Sequence, residues 1–423
     1  MKKAQSFHPD KGSIFSRPRD DNAAIGRVDM TDIFQQYGQY VMPTYSRQPV
    51  AFVRGHGCYL YDAQGNAYLD FTSGLSINNL GHCHPAVVKA IREQAGELIH
   101  TCNLYYTEPG AALARLLSEN SLGGKVFFAN SGAEANECAI KLARKHGRDL
   151  AGEGKHRIIT LEGGFHGRTM ATLTATAQPA KQAPFKPLLP GFTYVPANDD
   201  AALAAAMNDS VCALMVEPVQ GEGGVHVLTP EFLQVARELT EKHEALLIFD
   251  EVQTGLGRTG KLFAYQHGHV IPDVMTLAKS LGGALPIGAV VAAPAYADVL
   301  TPGMHASTFG GGPVPCAAGV AVLTELLAAG FMEKVCSRGE YMRRQLQALA
   351  DAGLTEGVRG MGLMLAVDLP RPHAGEIVAR ALKQRIILNN TSEQTIRFLP
   401  PLIVEERMIE QVVEFLRTAL KAH

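Results

Sequence analysis

Between residues 125 and 291, short apolar runs alternate with amphipathic stretches, and this alternation restricts the fold more than any other feature. The runs 125–129, 157–161, 211–216, 245–249 and 274–278 are each bounded by turn residues. That is the pattern of buried strands. The stretches 135–146 and 230–243 between them have helical spacing. Strand and helix in alternation predict a mostly parallel sheet covered on both faces by helices. The chain has 423 residues, of which 46% are hydrophobic, enough for a large core and two or three domains.

Two of these runs stop on charges. One ends at Asp250 and Glu251; the other ends at Lys279, followed by Ser280, Leu281, Gly282 and Gly283. An unpaired buried charge is costly, and ligands of open α/β sheets bind outside the carboxyl ends of the strands. An acid and an amine placed there match pyridoxal phosphate, which needs a lysine for its Schiff base and an acid for its pyridinium nitrogen. Taken alone, the same residues also fit a helix cap and a solvated strand end. Gly255-Leu256-Gly257-Arg258-Thr259-Gly260 matches a dinucleotide fingerprint and, with Lys261, nearly a P-loop. Leu262 stands where a P-loop needs a hydroxyl, and no long helix opens inside the motif, so nucleotide binding is not expected.

The other loops carry two readings in the same way. Asn130-Ser131-Gly132-Ala133-Glu134 follows a strand and opens a helix, with Ser131 and Glu134 at capping-box spacing. Small residues there leave backbone N–H groups open to an anion, although an ordinary strand-to-helix turn has the same pattern. Phe165 and Arg168 share a glycine-rich loop suited to stacking and carboxylate recognition. Gly81-His82-Cys83-His84-Pro85 invites a metal reading, but no partner cluster follows, and Pro85 suits the first position of a helix over 85–99. No metal is expected. A hairpin is predicted over 59–70, turning at Gln64-Gly65-Asn66. Helices are predicted over 108–119 and 315–329, and helices over 334–350 and 405–420 with a strand over 362–368 read as a smaller α+β domain.

A formal charge of −2 gives no reason to expect nucleic acid or an anionic membrane as partner. No apolar run reaches the roughly 20 residues of a membrane span. Seven cysteines without a C-x-x-C pair favour a reducing, cytoplasmic setting. Residues 1–29 are polar and irregular and carry no secretory signal, so a flexible leader is expected.

In chain order the motifs NSGAEANE, GGFHGRTM, EPVQGEGG, LIFDEVQTGLGRTG, LAKSLGG and STFGGGP resemble the class III pyridoxal phosphate-dependent aminotransferases. The likeness runs from about Phe34 to the end. It is strongest to the members acting on acetylornithine, then to those acting on succinylornithine and ornithine. The resemblance implies the type I fold: a large domain with a mostly parallel seven-stranded sheet over 76–309, and a smaller α+β domain from 31–75 and 310–423, after a leader over 1–30. It implies that Lys279 binds the cofactor covalently and shuttles a proton, and that Asp250 pairs with the ring nitrogen. Phe165 would stack on the ring, and Gln253 would bond near the phenolic oxygen. Ser131, Gly132 and Ala133 would bind the phosphate, joined by Thr308 from the neighbouring subunit of a homodimer. Arg168 would hold the α-carboxylate of an acylated ornithine, and Arg397 that of glutamate or 2-oxoglutarate. Glu222 would pair with Arg397 and release it. Tyr45, Asn103 and Ser307 would line the substrate entrance. The chain departs from the family pattern at Gly312 and Ala133, where an asparagine and often a threonine are usual, which implies weaker hold on the cofactor.

Overall fold

The computed structural model describes residues 30–268 and 270–421. Apart from Met30, the leader expected over 1–30 lies outside the described residues. The strands of the large sheet are β1 (Lys125–Ala129), β2 (Arg157–Leu161), β3 (Phe192–Val195), β4 (Val211–Val216), β5 (Leu246–Asp250), β6 (Val274–Leu277) and β7 (Gly288–Ala292). They lie in the order β1-β7-β6-β5-β4-β2-β3. Strand β7 runs antiparallel to β6 and β1; the remaining pairs are parallel. The fold is therefore α/β with a mostly parallel seven-stranded sheet.

Every residue of β4, β5, β6 and β7 is buried, because helices cover both faces. Side chains alternate across a strand, so β5 supplies both layers. Leu246 and Ile248 join Ala135 and Ile140 of the helix Gly132–Ala151. Leu247 and Phe249 join Phe232 and Ala236 of the helix Pro230–Lys242. The pairing of Asp250 with Thr276 places the carboxyl ends of β5 and β6 side by side. The carboxyl ends of β1, β2 and β4 emerge along the same edge.

A second layer carries the rest of the chain. The hairpin Tyr59–Asp62 and Ala67–Asp70 forms as predicted. Asp62 Oδ1 accepts from the N–H of Gln64 at 3.0 Å and of Asn66 at 2.8 Å, which fixes the turn. Ile386–Ile387 adds in parallel to Ala67–Asp70, so the two ends of the chain share one sheet. A separate antiparallel sheet has the order Val358–Met361, Met364–Asp368, Thr395–Phe398, Asn389–Asn390. The strand predicted over 362–368 begins two residues late, because Gly362, at φ 54°, makes a tight turn with Leu363. The helices predicted over 315–329 and 334–350 run over Pro313–Leu326 and Phe331–Asp351.

Candidate active site

Lys279 leaves β6 with φ 51°, a left-handed conformation that costs a residue with a Cβ about 1–3 kcal/mol. The bend turns the side chain into a cavity of ≈ 440 Å³ at the edge where the strands end. Burial pulls the amine down to about 8; Glu222 opposes that shift and Arg397 reinforces it.

Asp250 faces it from the end of β5, buried and held by four donors. Asn136 Nδ2 at 2.7 Å and His166 Nδ1 at 2.8 Å meet Oδ2. The N–H of Val252 at 3.0 Å and the Thr276 hydroxyl at 3.4 Å meet Oδ1. Burial pulls His166 down, but its hydrogen bond to Asp250 and the charge there outweigh this and raise it. Glu251 points elsewhere. It accepts from the N–H groups of Ala264 at 2.6 Å and Tyr265 at 2.9 Å, and it pins that loop.

The helix Gly132–Ala151 opens at the same cavity. Ser131 caps it by accepting from Glu134 N at 3.2 Å. The expected reciprocal bond of Glu134 moves one residue back, to Asn130 N at 2.6 Å. Gly132 and Ala133 occupy the first turn, where N–H groups have no intrahelical acceptor. A Cβ at Gly132 would meet Val252 Cγ1 at 2.7 Å, so the close approach demands glycine. On the opposite wall, Phe165 N donates to Glu217 Oε2 at 2.8 Å, and Arg168 lies 5.6 Å above the Phe165 ring centroid. Burial pushes Glu217 up to about 7.

Arg397 is fully buried. Its Nη1 donates to Gly221 O at 2.7 Å, to Glu222 Oε1 at 2.7 Å and to Gln253 Oε1 at 3.3 Å. Its Nη2 is buried without a partner among the described residues. Burial would raise Glu222, but Arg397 outweighs it and holds the carboxyl below the ordinary range.

Among the expected site residues, Ser131, Gly132, Ala133, Phe165, Arg168, Asp250, Gln253 and Lys279 line one cavity. Glu222 and Arg397 join it through Gln253. Four others lie elsewhere within this chain. Asn103 donates to Ser307 O and Gly310 O, each at 2.9 Å, and Thr308 is exposed on the same loop. Tyr45 is 75% exposed under Arg47. Asn136, His166 and Glu217 were missed as site residues by the sequence reading. The signal was available for two of them: Asn136 is one turn into the helix that opens the site, and Glu217 ends β4 on a charge. Among the described residues, no group of three or more His, Cys, Asp or Glu is placed to hold a metal. His82 instead binds Asp70 at 2.8 Å, and His84 precedes the helix Pro85–Glu97.

A family model for class III aminotransferases matches residues 40–420. The chain belongs to the class III aminotransferases. Acetylornithine aminotransferase of Caldanaerobacter subterraneus subsp. tengcongensis is 52% identical over 383 residues, 90% of this chain and 97% of that one. The crystal structure of acetylornithine aminotransferase from Elizabethkingia anophelis superposes with a TM-score of 0.84 at 34% identity, covering 94% of this chain and 100% of that one. Ornithine aminotransferase from Toxoplasma gondii, crystallised with partial occupancy of pyridoxal phosphate at its active site, gives 0.87 at 34% identity over 93% and 94%. Class III aminotransferases depend on pyridoxal phosphate, and the residues present fit it. A buried amine near neutrality, a desolvated carboxylate with fixed donors, and open N–H groups at a helix start are the groups that would suit its aldehyde, ring nitrogen and phosphate. Asn136 Oδ1, buried without a partner among the described residues, lies beside the same carboxylate.

Proposed function

We propose that this class III aminotransferase moves the ω-amino group of N2-acetylornithine to 2-oxoglutarate, giving N-acetylglutamate 5-semialdehyde and glutamate. Such a step belongs to arginine biosynthesis. The observation that carries the reading is the pair of the buried Arg397 with the partly buried Glu222 at 2.7 Å, beside a cavity that also holds Arg168 and Lys279. A transaminase takes two substrates in turn through one site. Glutamate brings a second carboxylate, which needs a free arginine. N2-acetylornithine brings a neutral amide, against which a free buried arginine is an uncompensated charge. A glutamate that covers Arg397 for one substrate and uncovers it for the other meets both needs. Arg168 would then hold the one carboxylate of acetylornithine. The curated relatives named for this activity support the assignment.

The lining of the cavity supports a role for each of its residues. Lys279 would hold the cofactor, and its Nζ would take the proton from the substrate carbon bearing the amine. An amine near neutrality suits that work. Asp250 holds a proton on the ring nitrogen, and Asn136 and His166 hold Asp250. Phe165 and Gln253 fix the ring, while Ser131, Gly132 and Ala133 take the phosphate. Pyridoxal phosphate, when bound, supplies an electron sink for the pair left on the carbon. Thr308 would reach the phosphate in the site of a second copy, making the enzyme a homodimer, and Tyr45, Asn103 and Ser307 would line the substrate entrance. Leu104, Tyr105, Tyr106 and Phe309 are all more than 60% exposed on segments that Asn103 ties together, the kind of apolar surface a partner covers. We assign residues 31–75 and 310–423 to a small domain and 76–309 to a large one, supported by the pairing of Ile386 with Leu69. Unpaired cysteines support work in the cytoplasm.

The test is the first half-reaction, followed by cofactor absorbance, with N2-acetylornithine, N2-succinylornithine, ornithine and other ω-amines. The highest kcat/KM is expected for N2-acetylornithine. Preference for free ornithine would reassign the donor, and no response to acylated ornithines would remove the reading.

A further inference from the structure

Glu222 sits on a loop that two arginines straddle. Arg359 pairs with Ala366, and Ala366 pairs with Arg397, across three neighbouring strands of the small antiparallel sheet. Directly paired residues share a face, so both arginines stand on the same side of that sheet, with Ala366 between them. The short hairpin Val219–Gln220 and His226–Val227 is docked there, with Val219 and Val225 packed on Met364, Ala366 and Leu399. Arg397 Nη1 takes the carbonyl of Gly221 at 2.7 Å. Arg359 Nε takes the carbonyl of Gly224 at 2.7 Å. The loop that carries Glu222 is thus held at both ends.

The two anchors differ in one respect. Arg397 is also the partner of Glu222, whereas Arg359 is committed to Asp368 through both terminal nitrogens, with Nη2 at 3.0 Å from Oδ1. Thr395, two residues before Arg397, donates to the same Asp368 oxygen at 2.7 Å. The loop tip is strained as well: Val225 has φ 62°, rare for a β-branched residue, and Gly224 has φ 118°. Without the bond to Gly224, such a tip has reason to relax.

We propose that Arg359 is a positioning residue for the substrate switch: it fixes the loop backbone so that only the Glu222 side chain moves, and so that it returns to Arg397. This rests on the reading of Glu222 and Arg397 given above. When a dicarboxylate takes Arg397, Arg359 and Asp368 keep the loop in place. When an acylated amine donor follows, Glu222 is within reach of Arg397 again.

The test compares Arg359→Gln, Arg359→Lys, Asp368→Asn, Glu222→Ala and the double variant Glu222→Ala/Arg359→Gln, with each half-reaction measured separately on the holoenzyme. Arg359→Gln should lower kcat/KM for the acylated donor about tenfold, the worth of one charge-assisted hydrogen bond, and leave the glutamate half-reaction undiminished or raised a few-fold. Arg359→Lys should recover part of the loss. Asp368→Asn should show the same asymmetry, smaller, and it serves if Arg359→Gln does not fold. On the Glu222→Ala background, Arg359→Gln should shift the ratio no further. Glutarate, followed by its protection against thermal unfolding, should bind a few-fold more tightly to Arg359→Gln, because Glu222 competes less for Arg397. Equal losses in both half-reactions, or an unchanged ratio beside a shifted Glu222→Ala, would overturn the role of Arg359. An unchanged ratio in Glu222→Ala itself would instead remove the switch on which it rests.

Discussion

Asp250 and Glu251 are adjacent in sequence, yet they serve different ends because consecutive side chains at a strand terminus point apart. Asp250 turns into the cavity toward Asn136 and His166, while Glu251 turns back to hold the N–H groups of Ala264 and Tyr265. The place of Asp250 at a strand end marked it as the candidate in the sequence, and its side chain lines the cavity with Lys279. Nothing local marked His166, whose bond to Asp250 spans 84 positions along the chain. Asp250→Asn should retain cofactor but lose about 3 kcal/mol of transition-state stabilisation, a rate loss above a hundredfold. Near-normal activity in that variant would remove Asp250 as the partner of the ring nitrogen. Lys279→Ala should lose about a thousandfold or more, since anchor and proton carrier go together. Borohydride should trap the cofactor on the peptide holding Lys279 and on no other. The lowered pKa gives a further check. In cofactor-free protein, acylation of Lys279 should rise through pH of about 8, because burial disfavours the charged form and the amine is neutral above that point. A midpoint near the ordinary lysine value would contradict the burial.

Among the elements, the loop Gly255–Gly260 shows what a motif looks like when its glycines serve packing. A Cβ at Gly257 would meet Leu402 Cδ1 at 2.8 Å, and one at Gly260 would meet Cys336 Sγ at 2.9 Å. Between them Arg258 is fully buried and donates to Ser73, Ser76 and Asn79 side chains and to the carbonyls of Leu363 and Pro400. Those bonds also clamp Ser73–Ser76, four consecutive residues at positive φ. Left-handed runs of this kind are unfavourable for L-residues and need outside support. Nothing in the sequence accounts for Arg258, because its partners come from three distant segments. Arg258→Met should destabilise the fold by about 3 kcal/mol or more, since five oxygens lose their donor. Denaturant unfolding measures this; a loss below about 1 kcal/mol would show that water replaces the guanidinium. Five of the seven strands were legible as apolar runs; Phe192–Val195 and Gly288–Ala292 were not among the predicted runs, and the antiparallel direction of β7 is not written in a buried strand, which reads alike in either direction.

For the molecule as a whole, the order of the motifs announced the fold, while the part of the site proposed to come from a second copy is specified by no local pattern. Thr308 and Ser307 lie on a loop outside the Lys279 cavity of their own chain, and an exposed apolar surface surrounds them. Tyr106→Asp with Phe309→Asp should dissociate the proposed dimer in sedimentation and weaken cofactor retention, because Thr308 would no longer reach its neighbour. An unaltered oligomer would place the interface elsewhere. The central claim is that one cavity serves two substrates through two separate carboxylate sites. Stopped-flow spectroscopy of each half-reaction for Arg397→Ala and Arg168→Ala tests it most directly. Arg397→Ala should cripple the reaction with glutamate and largely spare that with N2-acetylornithine, and Arg168→Ala should do the reverse. Equal losses in both half-reactions for Arg397→Ala would contradict it.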